Sequence, residues 1–175
     1  SIVSSSSNNS YKKINYIKNN FDNINQSLRW SPDCALICTP SNKHLDQALI
    51  FARRNIPTFI EKPVGNGSEL ERIRSELLVL SEKVPIMVGY VFRYDECFKN
   101  VQKFLYSNEF GSLIEVDCYC GSWLPDWRGN QDYSKSVSSN KKLGGGALLE
   151  LSHEIDFINF LLGPIKINFA SKFNS

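Results

Sequence analysis

The sequence predicts an α/β protein built on a parallel sheet. Three observations carry this expectation: short apolar runs recur along the chain, helical stripes separate them, and each helical stretch is long enough to cross between parallel neighbours. Residues 1–30 are the least regular part. Ile2-Val3 running into Ser4 reads as a strand end entering a loop, while Ile14, Ile17, Phe21 and Ile24 are spaced too widely to choose between helix and coil. From Pro32 the pattern is clear. Cys34-Ala-Leu-Ile-Cys38 is a first strand, and Leu45, Ala48, Leu49 and Ala52 form a helical stripe at i, i+3, i+4, i+7. Pro57-Thr-Phe-Ile-Glu61 is a second strand, Leu70, Ile73, Leu77 and Leu80 a second stripe, and Pro85-Ile-Met-Val-Gly-Tyr90 a third strand. Strands joined in this way lie parallel with right-handed crossovers, the Rossmann-like plan.

Beyond Tyr90 the texture changes. Phe98, Val101 and Leu105 predict a helix over Asp95 to Tyr106, followed by a turn at Asn108 to Ser112. Leu113 to Tyr119 alternates like a strand, and Gly121 to Lys142 is a long polar and aromatic loop. Leu148, Leu151, Ile155, Ile158 and Leu162 make one more helical stripe, closed by Gly163-Pro164, and Ile165 to Phe169 looks like another strand. We place a domain boundary near residue 108, giving units 1–108 and 109–175.

Composition narrows the function classes. A content of 42% hydrophobic residues supplies a packed core, so a disordered chain is not expected. The 20 basic and 18 acidic residues leave a net charge of +2 with no clustered sign, which argues against a nucleic-acid partner. No apolar stretch reaches the ~20 residues of a membrane span, and no secretion signal opens the chain. A soluble, cytoplasmic protein with no membrane partner is expected. Five cysteines, at positions 34, 38, 97, 118 and 120, lack metal-knuckle spacing and are expected as reduced thiols, mostly buried filler. No metal site is expected: His44 and His153 share no helix turn or knuckle with another ligand.

Chemistry concentrates at two strand ends. Thr39-Pro40-Ser41-Asn42-Lys43-His44 follows the first buried strand and Glu61-Lys62-Pro63 follows the second. Ligands of parallel sheets collect at the carboxyl ends of strands, so both segments face one crevice. Pro40 and Pro63 fix φ and stop each strand sharply. Read alone, each motif is equally consistent with a plain turn.

With those strings stand Gly89-Tyr-Val-Phe-Arg93, Phe110-Gly111, Gly144-Gly-Gly-Ala-Leu-Leu-Glu-Leu-Ser-His153, Asp156 and Leu162-Gly163. In this order, over roughly residues 34 to 165, they resemble the landmarks of the glucose–fructose oxidoreductase / inositol dehydrogenase / rhizopine catabolism (Gfo/Idh/MocA) family. The resemblance implies a nicotinamide-dependent oxidoreductase acting on a sugar, cyclitol or sugar acid. It also implies a partial Rossmann-like domain followed by the start of an α+β substrate domain with a mainly antiparallel sheet. Pairing into a dimer or tetramer is implied too.

By the same resemblance Lys62 holds the substrate oxygen and assists proton transfer, as a partly desolvated amine can. His153 is the implied acid/base, on the face of its helix opposite the apolar stripe, where a nearby carboxylate would favour the protonated ring. Many members of that family carry an aspartate four residues before this histidine; here Leu149 holds that place and Glu150 stands three before it. Glu150 therefore either replaces the aspartate or the carboxylate role is lost.

Thr39, Pro40, Asn42, His44, Glu61, Lys62, Ser4, Trp127 and Arg128 are the candidate cofactor-binding residues. Tyr90, Arg93, Trp123, Asp126 and Tyr133 are the candidate substrate contacts, since aromatic faces stack on sugar C–H groups while Asp and Arg bind hydroxyls or an acidic substituent. Arg93 could instead pair with Asp95 or Glu96. The Gly-x-Gly-x-x-Gly turn of the family is not in the chain, which reads as a fragment opening near the end of the second Rossmann strand. Serines at that strand end, with Lys12 and Lys13 nearby, tilt the expectation of NAD or NADP toward NADP. The competing reading is a non-catalytic binding or assembly module that keeps the fold; a Gly-x-Gly-x-x-Gly turn encoded just upstream would favour the enzyme.

Overall fold

The computed structural model describes residues 2–3, 19–65, 67–107, 109–128 and 132–171. The central feature is a three-stranded parallel sheet of β3 (Ala35–Ile37), β4 (Thr58–Ile60) and β5 (Ile86–Val88), in that spatial order. Its register aligns Ile37 with Ile60 and Ile60 with Val88, so all three carboxyl ends emerge along one edge. Two short strands, β1 (Ile2–Val3) and β2 (Asn20–Phe21), form a separate parallel pair. Of the segment that the sequence left undecided, Ile14 and Ile17 lie outside the described residues, Phe21 falls in β2 and Ile24 opens a single-turn helix α1 (Ile24–Leu28), started by Asn23, whose side chain accepts from the Gln26 amide.

Alternation along the strands decides which face is covered. Ala35, Ile37 and Ile60 point to one side and are buried, whereas Leu36 on the other side is 70% exposed. Helix α2 (His44–Ala52) lays Ala48 and Phe51 on the buried face, where Ile24, Leu28, Ile56 and Ile86 complete the core. Leu45 and Leu49 on another side of α2 meet Ile73 of α3 (Gly67–Ser81), flanked by Leu70, Leu77 and Leu80. The predicted stripes of both helices are therefore the residues that pack. Helix α4 (Glu96–Ser107) begins where Asp95 caps the Cys97 amide, and is tied to the last helix by Gln102, whose amide donates to the Phe160 carbonyl at 2.7 Å.

Three expectations are corrected. The strands expected at residues 113–119 and 165–169 are not formed among the described residues: the segments lack a ladder partner, and Ile114 is 97% exposed. All five cysteines are free and exposed rather than buried filler, because Cys34 and Cys38 flank β3 outside the packed face and the others lie on outer surfaces. The single C-terminal helix is two: α5 (Ala147–Glu150) and α6 (Ser152–Leu162), separated at Leu151, whose backbone (φ −96°, ψ 29°) leaves the helical path. Gly163 at φ +81° closes α6 as the sequence suggested. No helix among the described residues is long and apolar enough to cross a membrane.

Candidate active site

The site is built on the shared edge of the sheet. The β3–β4 ladder ends where the Glu61 amide donates to Ile37 O, and the β4–β5 ladder ends where the Gly89 amide donates to Ile60 O, both at 2.8 Å. Beyond these points the backbones part, and Thr39, Lys62 and Tyr90 are the first residues free of the sheet. Gly89 permits this crowding: a Cβ there would come within 3.0 Å of the Phe59 ring and 3.3 Å of the Glu61 carboxylate. The Lys62–Pro63 peptide bond is cis.

His44, the first residue of α2, is 1% exposed. Its Nδ1 lies 2.8 Å from Pro63 O and its Nε2 2.6 Å from Thr39 O. Both polar atoms of the ring expected among the cofactor contacts are thus engaged with main-chain carbonyls of the protein. The Thr39 hydroxyl donates to the Gln47 side chain at 2.8 Å.

A second segment is suspended from these tips. The Ser41 hydroxyl donates to Leu143 O at 3.2 Å and the Asn42 amide donates to Lys142 O at 3.0 Å, which fastens the glycine-rich turn to the end of β3. Gly144 sits at φ +89°, a left-handed conformation, and a Cβ on it would collide with the Ser41 side chain. The chain then enters α5, where Lys62 Nζ donates to the Glu150 carbonyl at 2.8 Å. Glu150 thus meets Lys62 through its main chain, and the break at Leu151 means that Glu150 and His153 do not share the face of one continuous helix.

His153, in the first turn of α6, packs against Phe92 (ring centroids 4.9 Å apart) and edge-on to Tyr90 (5.8 Å). Burial lowers its pKa below the ordinary histidine range, and the positive charge of Lys62 lowers it further; Glu154, Glu61 and Asp156 oppose this without reversing it. Nearby carboxylates do favour the charged form, as the sequence led one to expect, but burial and Lys62 outweigh them and the net shift is toward the neutral ring. Its Nδ1 is buried and, among the described residues, without a hydrogen-bond partner.

Arg93, just past β5, pairs with neither Asp95 nor Glu96. Its fork closes on Asp156 of α6 with bonds of 2.8 and 2.6 Å, and its Cζ lies 5.7 Å from the Phe160 ring centroid. The Asp156 side chain is 9% exposed and holds the arginine charged. Asp95 is occupied in capping α4, and Glu96 pairs with Lys99. Asp126, Trp127 and Tyr133 lie in exposed single turns over Leu124–Arg128 and Tyr133–Lys135, exposed Trp123 directly precedes the first, and no described contact brings any of the four to Lys62 or His153. Ser4 and the Arg128 side chain lie outside the described residues.

Sequence reasoning missed Ser41, Phe92 and the Arg93–Asp156 pair. Ser41 lay inside a recognised motif, yet its partner is a main-chain carbonyl 102 positions away, which no side-chain pattern announces.

Comparison with known proteins agrees with this geometry. A model of the oxidoreductase family with an NAD-binding Rossmann fold matches residues 2–90. The rhizopine catabolism protein MocA of Rhizobium meliloti is 30% identical over 138 residues, 78% of this chain and 40% of that protein. Inositol 2-dehydrogenase of Rhizobium meliloti (strain 1021) is 32% identical over 139 residues, 77% of this chain and 38% of that protein. The crystal structure of myo-inositol 2-dehydrogenase from Lactobacillus plantarum superposes with a TM-score of 0.71 at 18% identity, over 92% of this chain and 47% of that one, a likeness of fold. The chain spans about two fifths of the length of the curated relatives it matches. The family model matched over residues 2–90, together with relatives 30% and 32% identical over more than three quarters of the chain, places this chain in the Gfo/Idh/MocA oxidoreductase family.

Proposed function

We propose that the chain is the catalytic portion of an NAD(P)-dependent dehydrogenase or reductase acting on a hydroxyl or carbonyl of a sugar, cyclitol or sugar acid. One observation carries the reading: the Lys62 amine is anchored on Glu150 O at the end of α5, and its charge reaches His153 at the start of α6, where it lowers the ring's pKa. Oxidation of a secondary alcohol needs a base for the hydroxyl proton and a donor to hold the oxygen. With its pKa lowered and its Nδ1 unpartnered among the described residues, His153 is suited to accept the proton. Lys62 uses one N–H on Glu150 and directs the remainder to the substrate oxygen.

The residues present fit a nicotinamide cofactor. Asn42 Oδ1 is a buried acceptor with no partner among the described residues, suited to a ribose hydroxyl, and Thr39, Pro40, Glu61, Trp127 and Arg128 complete the candidate set. When bound, the nicotinamide exchanges a hydride with the substrate carbon. Ser4, Lys12 and Lys13 support NADP over NAD. The division near residue 108, into a cofactor unit and the start of a substrate unit, follows the same reading, as does assembly into a dimer or tetramer.

The test is turnover of the full-length gene product with NAD and NADP against a panel of sugars, cyclitols and sugar acids. Lys62→Ala should lower kcat by ~10²-fold with folding intact. Undiminished turnover in that variant removes Lys62 from the chemistry. A wild-type protein that binds neither dinucleotide would instead support the non-catalytic module.

A further inference from the structure

We propose that His44 is a positioning residue that sets Lys62, acting through the main chain on either side of the sheet's open edge. Beyond the last ladder bond, from the Glu61 amide to Ile37 O, no described backbone bond joins the tips of β3 and β4. The imidazole of His44 fills that gap. It reaches Thr39 O on one tip and Pro63 O on the other, the second being the carbonyl of the residue directly after Lys62. The ring carries hydrogen on one nitrogen or both, so it donates to at least one of the carbonyls.

At 1% exposure there is no water to replace it. The peptide that carries Lys62 is therefore pinned from behind by His44, while its amine is pinned in front by Glu150 O at 2.8 Å. Loosening the rear attachment lets the lysine backbone move and detaches the amine from α5. The inference rests on the oxidoreductase reading only for its kinetic consequence; the geometric consequence stands apart from it.

The experiment uses His44→Phe, which keeps a flat ring without donors, and His44→Gln, which restores one donor, both in the full-length gene product. Trace acetylation with acetic anhydride, read by peptide mass spectrometry, compares Lys62 with the exposed Lys83 in the same sample. In His44→Phe, Lys62 should be labelled about tenfold faster relative to Lys83, the scale of one lost buried hydrogen bond. His44→Gln should recover most of the protection. In parallel, kcat should fall by ~10²-fold in His44→Phe with dinucleotide affinity unchanged.

Unchanged Lys62 labelling in a folded variant overturns the proposal, as does equal acceleration of Lys62 and Lys83, which is general loosening. Loss confined to dinucleotide affinity, with kcat intact, also overturns it and returns His44 to the cofactor. If His44→Phe fails to fold, His44→Leu, which also lacks a donor, takes its place, with faster Lys62 labelling relative to Lys83 supporting the idea and a wild-type rate sinking it. Selective Lys62 labelling in a protein without turnover on any substrate supports the positioning role while refuting the oxidoreductase reading.

Discussion

The proton chemistry assigned to His153 depends on a ring whose pKa is lowered by burial and by the positive charge of Lys62. The unfolded chain, whose histidine titrates near pH ~6.5, takes up the proton before the folded one does as pH falls. His153 therefore contributes stability that is complete above about pH 6.5 and is lost as pH drops through the lower folded-state value. Activity in the oxidising direction should likewise persist below pH ~6.5, because the base stays neutral there. The chain has two histidines, so an NMR titration resolves them; in Lys62→Met the His153 resonance should titrate at higher pH than in the wild type. A titration that Lys62→Met leaves in place would show that its charge does not reach the ring. Arg93 offers a second test. Arg93→Ala strands the nearly buried Asp156 carboxylate and should cost about 1–3 kcal/mol in urea unfolding, whereas an unpaired role at a substrate would leave stability unchanged.

At the scale of elements, the glycine turn shows how one residue type sets a path. Gly144→Ala forces a Cβ into the left-handed region and against Ser41, so it should lose about 1–2 kcal/mol from the backbone alone, with further loss from the displaced turn. Thermal melting measures the first and kcat the second, since α5 and α6 start from that turn. The parallel sheet, α2, α3 and α4 were legible because period-2 and period-3.6 burial write themselves into apolar spacing: Ala35, Ile37, Ala48 and Ile60 are buried where the pattern put them. Residues 113–119 and 165–169 carry the same alternation without forming strands, since alternation describes a surface and a ladder needs a neighbour. The site was legible in its parts and not in its joints. Lys62 and His153 could be named from motifs, but the break at Leu151 depends on backbone angles that a continuous apolar stripe conceals.

For the molecule as a whole, three side chains at the sheet edge, Ser41, Asn42 and Lys62, hold the segment from Lys142 to Glu150, and every acceptor is a carbonyl. Such an arrangement is indifferent to spelling and strict about counting. Replacing the side chains of Lys142, Leu143 or Glu150 leaves the acceptors in place, so Glu150→Gln should keep the Lys62 anchor. Deleting one residue between Gly146 and Glu150 shifts the acceptor facing Lys62 and should abolish turnover more completely than any single substitution there, a comparison that steady-state kinetics can make directly. A lineage carrying this design can drift freely in letters along the loop while its length stays frozen, and the departure at Leu149 and Glu150 is then a change of wording that the anchor never reads.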